Sequence, residues 1–381
     1  MKSNALLKSL QLIFLFLFAF NVHADEPRFY IPDAPPIDAS SYALMDHNSK
    51  SMLAANNENQ RRSPASLTKI MTSYVIFKRL KEEFITLDDE VKISEKAWRT
   101  GGSRSFIEVG KIIRLEDLLK GMIIQSGNDA SVALAEHVAG SEGTFVLFMN
   151  DYAQQLGMTN SRFENSSGLP HEEQYTTAKD MAILSSAMIE EFPEFYKWYS
   201  EKEFTYNNIT QTNRNKLLFT DSTVDGLKTG WTQMAGYCLV TSANRVGMRL
   251  ITVVMGSASP AARTTETEKL LDYGFRFFET QSVNDISHQV PVYKSKKANI
   301  KVGVAESSYL TLPRNQFKYT TQTINLSGDL IAPITKGDEV GTLAISFNNK
   351  NIATLPLIAL DNAIEGGFLT KMVDTVKLLF R

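Results

Sequence analysis

The distribution of apolar residues first sets apart the beginning of the chain. Residues 10–20 form an almost unbroken apolar run, with Lys2 and Lys8 before it and Val22-His23-Ala24 after it. This order is typical of a secretory signal peptide, and the run is shorter than the roughly 18–20 residues that a membrane span needs. We predict that residues 1–24 are a signal peptide and that the remainder is exported; an uncleaved anchor is the alternative.

Residues 25–281 combine strand-like and helix-like patterns. Ser63 can cap a helix and Pro64 suits its first position, and apolar residues at Ile70, Met71 and Tyr74 predict that this helix is largely buried. Because such runs alternate with short β-type runs, we predict an α+β domain. The other predicted elements are strands at 42–46 and 51–54, helices on either side of a break at 125–129, a helix at 177–192, strands on either side of a turn at 244–247, and a helix near 262–279.

The pattern changes again in the last hundred residues. Residues 282–362 alternate apolar and polar positions in short runs broken by glycine and asparagine, which predicts a small all-β domain. In residues 363–381, apolar residues recur every three to four positions while Lys371 and Lys377 fall on another face. Such a basic amphipathic helix is typical of a membrane interface. The alternative is a terminal helix that docks on the protein's own core.

Composition narrows the function classes. The loss of residues 1–24 removes two lysines and no acid, so 38 basic residues face 42 acidic ones, a balance that argues against a nucleic-acid partner. The single cysteine, Cys238, lies in an apolar run, and we interpret it as a buried, inert thiol. The histidines form no zinc-binding pair, so we expect no metal site and no cofactor.

The candidate chemistry begins with Ser66 and Lys69, the only Ser-x-x-Lys in the chain. Positions i and i+3 are neighbours on one helix face, so the spacing predicts that the Lys69 amine lies beside the Ser66 hydroxyl. A neutral lysine can take the proton of a nucleophilic serine. It is neutral only where burial or another cation lowers its pKa, so a second cation is expected nearby. Alone, this spacing is weak evidence.

Two further tripeptides strengthen the hypothesis. Ser126-Gly127-Asn128 falls at the predicted helix break, where a hydroxyl and an amide can point into a cleft, and Lys228-Thr229-Gly230 directly precedes the predicted β region. Each tripeptide alone is more often a loop or a turn. In the order Ser-x-x-Lys, Ser-x-Asn, Lys-Thr-Gly, they form the signature of penicillin-interacting serine enzymes.

Longer segments carry a family resemblance. Residues 61–74 resemble the active-site segment of the low-molecular-mass penicillin-binding proteins, and the greatest similarity is to the D-alanyl-D-alanine carboxypeptidases of Gram-negative bacteria. Residues 125–130, 213–215, 224–230 and 273–280 resemble them too, so that the similarity extends over nearly the whole chain. The resemblance implies a transpeptidase-like α+β catalytic domain at 25–281, the β-rich domain at 282–362 and a membrane-anchoring helix at 363–381. It also implies a periplasmic enzyme, attached to the inner membrane, that acts on peptidoglycan pentapeptide stems and is acylated by β-lactam antibiotics.

The resemblance implies roles for matching residues. Ser66 would be acylated with Lys69 as its base, and Ser126 would relay the proton to the leaving D-alanine amine. Asn128 would hold the substrate's peptide amide, and Lys228 would tune the network. The expected carboxylate-binding residues are Thr229 and Arg263, with Arg214 nearby, and the expected oxyanion donors are the backbone N–H groups of Ser66 and of Trp231, which follows Gly230.

Two positions depart from the family pattern. Trp231 and Ser167 stand where close relatives usually have histidine, so cleft shape and deacylation are expected to differ. A D,D-endopeptidase would attack the same bond type and is the main alternative. A β-lactamase of class A would need a Glu-x-x-Leu-Asn string, which the sequence lacks. A non-catalytic wall-binding protein would not need Ser66, Lys69, Ser126 and Lys228 together.

Overall fold

The computed structural model describes residues 31–283, 286–304 and 308–380. The predicted signal peptide lies outside them. The α-helices in the described part are α1 (Thr68–Lys81), α2 (Glu95–Arg99), α3 (Leu115–Lys120), α4 (Asn128–Ala139), α5 (Glu142–Gln155), α6 (Ala178–Glu191), α7 (Pro193–Tyr196), α8 (Leu217–Thr220), α9 (Pro260–Phe277) and α10 (Phe368–Leu379). Short 3₁₀ turns occur at Ala65–Leu67, Lys197–Ser200 and Phe317–Tyr319, and a π-helical turn at Gly121–Gln125.

The strands of the described residues fall into two groups. The first nine belong to the helix-rich region: β1 (Ser41–Asp46), β2 (Met52–Asn56), β3 (Glu90–Lys92), β4 (Ile112–Arg114), β5 (Glu203–Tyr206), β6 (Ile209–Thr212), β7 (Val224–Thr232), β8 (Gly236–Arg245) and β9 (Met248–Ser257). The later ones are β10 (Phe278–Ser282), β11 (Ser287–Pro291), β12 (Asn299–Val304), β13 (Tyr309–Pro313), β14 (Thr320–Leu326), β15 (Glu339–Phe347) and β16 (Lys350–Ala359).

The helix-rich region is built on one antiparallel sheet in the order β2-β1-β9-β8-β7. Side chains alternate between the two faces of a strand. Ala43 and Met45 of β1 therefore join the core formed with α1 and α6, while Leu44 lies on the other face under α9. The chain between β2 and β7 supplies the helices of that first core, so the edge strand β7 borders the helical part.

The second group forms a separate β domain with its own core. Its sheet has the order β11-β12-β16-β15-β14, and the ribbon β10-β13 joins it to the end of α9. The α+β region, the all-β domain and the terminal helix follow one another as predicted. The exact boundaries near 281 and 362 stay predictions, and β10 straddles the first of them.

Four local predictions were wrong in detail. Ser63 does not cap the first helix: the turn starts at Ala65, whose φ of +46° redirects the chain, and α1 proper begins at Thr68. The predicted break at 125–129 is confined to residues 126–127, because Asn128 already starts α4. Lys228-Thr229-Gly230 lies inside β7 rather than before the sheet. The helix predicted to reach residue 279 ends at Phe277, since the following residues pair with β13.

The packing of α9 on the sheet generates a stability prediction. A Cβ atom at Gly274 would lie 2.5 Å from Leu250 Cδ1 and 3.1 Å from Leu44 Cδ2, and both leucines are fully buried. Gly274→Val is therefore expected to destabilise the fold by about 2–3 kcal/mol through overpacking. Urea denaturation followed by tryptophan fluorescence measures the effect. Gly143→Val, in α5 with nothing but Ser141 Oγ at 3.9 Å, is the matched control and should change stability by about 0.5 kcal/mol or less. Equal effects at both positions would contradict this packing.

Candidate active site

A cleft of about 720 Å³ lies between β7 and the helical part of the first domain. It brings together residues from seven separate segments of the chain. Its lining residues are Ser66, Gly102, Ser103, Ser126, Asn128, Ser167, Gly168, Leu169, Pro170, Arg214, Thr229, Gly230, Trp231, Thr232, Gln233, Tyr237, Pro260 and Arg263. Every predicted site residue lines this cleft except Lys69 and Lys228, which are buried.

Ser66 lies on a tightly constrained turn. The preceding residue, Ala65, has a left-handed backbone, which is uncommon for a residue with a side chain. Two glycines face this turn: a Cβ atom at Gly168 would overlap the Ala65 carbonyl, and one at Gly230 would lie 3.2 Å from the Ser66 nitrogen. The loop at residue 168 therefore approaches the turn as closely as it does only because that position is glycine, and a side chain at position 230 of β7 would be in tight contact with the turn.

Lys69 is buried beneath the cleft with three oxygen neighbours. Its Nζ lies 3.2 Å from Ser66 Oγ, 2.6 Å from Asn128 Oδ1 and 2.5 Å from the carbonyl oxygen of Ser167. Burial, followed by the positive charge of Arg214, lowers the pKa of Lys69 to about 7, although the carboxylate of Asp129 opposes the shift. Near neutral pH, a large share of Lys69 is therefore uncharged.

These contacts orient the neutral amine. An ammonium group has three N–H donors, whereas a neutral amine has two and one lone pair. The Asn128 amide oxygen and the Ser167 carbonyl can only accept, so they take the two N–H bonds. The lone pair is then left facing the hydroxyl of Ser66, which can donate to it. This is the geometry that a general base for Ser66 requires.

Lys228 is a second buried amine near the first. It projects from β7, and its Nζ lies 3.5 Å from the Thr229 carbonyl oxygen. Burial first, and then the charges of Lys69, Arg214 and Arg263, hold the pKa of Lys228 well below its usual value. The second cation that was expected near Lys69 is therefore Arg214. Lys228 is less suited to this role, because its own lowered pKa favours its neutral form.

Arg263 closes one end of the cleft. It lies in the first turn of α9, where Ser259 Oγ caps the helix by accepting from Ala262 N at 3.0 Å. Its Nη1 donates to the carbonyl oxygens of Gly230 at 3.1 Å and Cys238 at 3.3 Å, which fixes the guanidinium against β7 and β8. The group remains in contact with the cleft, so it can offer its other N–H groups to an anion.

Ser126 and Asn128 flank the break between the π-helical turn and α4. Ser126 has a left-handed backbone (φ +71°), and its buried hydroxyl has no hydrogen-bond partner among the described residues. Asn128 is occupied at both ends, because Nδ2 donates to the Gly101 carbonyl at 2.7 Å while Oδ1 accepts from Lys69. Its predicted contact with a substrate amide stays a prediction.

Trp231 forms the outer wall of the cleft beyond Thr229. Strand alternation puts the two residues on the same face of β7. Thr229 is buried, whereas Trp231 is 55% exposed and its ring lies 5.8 Å from the ring of its cross-strand neighbour Tyr237. The guanidinium of Arg263 lies 5.7 Å from the same tyrosine ring. Trp231 therefore borders the Arg263 end of the cleft.

Sequence reasoning missed the groups that hold these side chains in place. Ser167 contacts Lys69 through its backbone carbonyl. A pattern of side chains in the sequence cannot predict such a backbone acceptor. Asp129 accepts from Ser105 N at 2.8 and 3.1 Å, which ties the loop at 101–105 to α4 and supports the cleft wall. The acidic residue directly after Asn128 was a sequence signal from which the contact between Asp129 and Ser105 could have been predicted.

The other chemical predictions concern Cys238 and metals. Cys238 is buried in β8, and burial raises the pKa of its thiol to about 11, which confirms the inert interpretation. Within the described residues, no group of three or more histidine, cysteine, aspartate or glutamate side chains is arranged to hold a metal ion.

Comparisons with known proteins agree on one family. Residues 29–259 match the family described as D-alanyl-D-alanine carboxypeptidase, and residues 275–365 match the C-terminal domain of penicillin-binding protein 5. A similar curated relative is D-alanyl-D-alanine carboxypeptidase DacC of Escherichia coli. It is 44% identical over 380 residues, which span 96% of this chain and 94% of DacC.

Solved structures give the same result. Penicillin-binding protein 5 from Haemophilus influenzae has a TM-score of 0.82 and 41% identity, covering 88% of this chain and 100% of that one. Penicillin-binding protein D2 from Listeria monocytogenes, solved in its ampicillin-bound form, has a TM-score of 0.58 and 29% identity. That match covers 66% of this chain and 100% of the Listeria chain.

Proposed function

Because the chain belongs to the D-alanyl-D-alanine carboxypeptidase family and is a serine-type D-Ala-D-Ala carboxypeptidase, we propose that it removes the terminal D-alanine from peptidoglycan pentapeptides through an acyl-enzyme on Ser66. The observation that carries this proposal is the buried Lys69 amine, whose two accepting neighbours leave its lone pair for Ser66. The family binds β-lactams, as the ampicillin-bound relative illustrates.

Substrate binding uses the positive end of the cleft. The terminal carboxylate pairs with Arg263 and the Thr229 hydroxyl, and Arg214 adds a third positive or polar contact. The absence of any acidic residue among the described cleft-lining residues supports an anionic substrate end. This anchoring places the preceding peptide bond beside Ser66, and the fixed geometry of donors on β7 and α9 avoids reorganisation when the substrate arrives.

Acylation transfers one proton and exchanges one bond. Lys69 takes the Ser66 proton as Oγ attacks the carbonyl carbon, and the backbone N–H groups of Ser66 and Trp231 stabilise the resulting oxyanion. The C–N bond then breaks, and the proton passes through the Ser126 hydroxyl to the leaving amine of D-alanine. The buried hydroxyl of Ser126, which has no partner among the described residues, and the lowered pKa of Lys228 support such a relay. Water then hydrolyses the ester, with Lys69 as the nearest base.

The terminal helix attaches the enzyme to the membrane in this proposal. Its apolar residues face solvent, with Phe368, Leu379 and Phe380 each more than three-quarters exposed. The one buried residue of α10 is Asp374, so the side that docks on the β domain is the polar one. This arrangement disfavours the alternative of an apolar face packed on the protein's core. None of the helices in the described residues is long and apolar enough to cross a membrane, and we propose interfacial binding to the inner membrane.

Ser66→Ala tests the nucleophile. The variant should lose covalent labelling by a fluorescent penicillin, and release of D-alanine from a pentapeptide should fall on the order of 10⁴-fold or more. Ser200→Ala, which removes a hydroxyl bonded to the Lys197 carbonyl, is the control and should label normally. Equal labelling of Ser66→Ala would contradict the assignment. Cleavage of crosslinked dimers in preference to the pentapeptide would identify an endopeptidase.

The pH dependence of acylation tests the role of Lys69. Because the base must be neutral and its pKa is about 7, the penicillin acylation rate should rise through pH 7 and level off above it. Arg214→Gln should move the midpoint upward, since it removes a charge that disfavours the ammonium form. Lys69→Arg should be inactive at every pH, because arginine stays protonated. Stopped-flow measurement gives the profile, and a midpoint near 10 would contradict the proposed base.

Membrane attachment is tested by removing the apolar face of α10. Deletion of residues 366–381, or the paired change Leu369→Ser and Leu379→Ser, should move the enzyme from the membrane pellet to the soluble fraction. Thr370→Ser is the control on the same helix and should leave it in the pellet. Penicillin labelling of each variant checks that the catalytic domain is folded. Retention of the paired variant in the membrane would contradict an anchor at α10.

A further inference from the structure

A short lysine-rich loop of the β domain lies against the terminal helix. This loop, residues 294–297, joins β11 to β12 and carries Lys294, Lys296 and Lys297 around the buried Ser295. Lys296 and Lys297 are exposed. The roles that the family resemblance implies do not include these lysines, although they lie next to α10.

Three hydrogen bonds, which together form a latch, join this loop to α10 and to the segment just before it. Lys294 N donates to Asp374 Oδ2 at 2.7 Å, Gly366 N donates to the Lys294 carbonyl at 2.8 Å, and Lys296 N donates to the Ile364 carbonyl at 2.9 Å. Asp374 is only 8% exposed and also accepts from Lys377 Nζ at 2.9 Å. The latch therefore holds the helix by its polar side, and it determines which direction the apolar side faces.

The loop and the helix occupy one end of the β domain. Val302 of β12 pairs with Ala359 of β16, so the loop before β12 lies beyond the carboxyl end of β16, where the chain continues to α10. The catalytic domain is joined to the other end: Arg314 donates to the Phe275 and Phe277 carbonyls of α9, and β14 starts six residues later. Lys350 is the first residue of β16 and the loop lies beyond the other end of that strand, whose ten residues span roughly 30 Å.

Charge and polarity at this end match one kind of partner. The outward side of α10 is apolar, and Ile364 beside it is 63% exposed and accepts through its carbonyl from Lys296 N. Lys296 and Lys297 are exposed there, whereas Lys377 is paired with Asp374 and Lys371 with Glu365. A protein surface or a second copy of the chain would have to match both the apolar strip and the positive border. At a membrane surface, the acyl chains can take up the apolar strip while the anionic headgroups beside them pair with the cations.

We propose that residues 294–297 are a second membrane contact, at which Lys296 and Lys297 bind anionic phospholipid headgroups while α10 inserts beside them. The inference rests on the proposed attachment through α10. The Asp374 latch makes the two contacts act together, so the β domain is held on the membrane in one orientation with its catalytic end pointing away.

Sedimentation of the mature protein with vesicles tests this proposal. Each lysine near an anionic surface contributes about fivefold in affinity. Lys296→Gln with Lys297→Gln should thus weaken binding to phosphatidylglycerol-containing vesicles about 25-fold, and the loss should shrink at high salt. Lys318→Gln with Lys350→Gln makes the same charge change at the opposite end of the sheet and should alter binding less than about twofold. An equal effect of the two pairs would overturn the loop contact.

Two further variants separate this inference from the proposed anchor. If Leu369→Ser with Leu379→Ser releases the protein but the Lys296/Lys297 pair has no effect, α10 anchors the enzyme and the loop contact is wrong. If neither pair weakens binding, the anchor itself is wrong. Asp374→Ala opens the latch, so in that background the lysine pair should matter less than about fivefold. An undiminished 25-fold effect would overturn the coupling between loop and helix.

Discussion

The buried Lys69 amine is the constraint on which the rest of the site depends. Its two carbonyl neighbours, from Asn128 and Ser167, come from α4 and from the loop before Gly168, so three segments must meet at one nitrogen. The same meeting brings Gly168 and Gly230 against the Ala65–Ser66 turn, where a Cβ atom would overlap the backbone at position 168 and would be crowded at position 230. The contacts that orient the lone pair of Lys69 therefore also determine the shape of the cleft around Ser66.

The electrostatics of the site follow from burial more than from pairing. Burial is the largest cause of the lowered pKa of both Lys69 and Lys228, and nearby cations add to it. A cleft rich in positive charge and without acidic lining among its described residues is unfavourable until an anion enters. In the proposed binding mode, the terminal carboxylate of the substrate supplies that anion. In that mode, a substrate without a free carboxylate would leave Arg263 without its partner, so the proposed preference for a free chain end and the proposed reactivity of Ser66 have one charge distribution as their cause.

Much of this was predictable from the sequence, but only where local pattern decides the structure. The Ser66–Lys69 spacing, the helix break at Ser126 and the order of domains are local signals, and the structure agrees with them. The strand position of Lys228, the left-handed Ala65 and the Ser167 carbonyl contact depend on residues distant in the chain, which tertiary packing brings together. The same holds for Asp374. Its helix was predictable from apolar spacing, whereas its bond to Lys294 N was not, because a loop eighty residues earlier provides the donor.

Lys69 can act as the base for Ser66 only if a large share of its amine is neutral near pH 7. The most direct test of this requirement is an NMR titration of the mature enzyme with ¹³C-labelled lysine, with the Lys69 Cε signal assigned by its loss in Lys69→Arg. The expected midpoint is near 7, with the charged form lost as the pH rises through that value. A midpoint close to the ordinary lysine pKa of about 10.4 would contradict it.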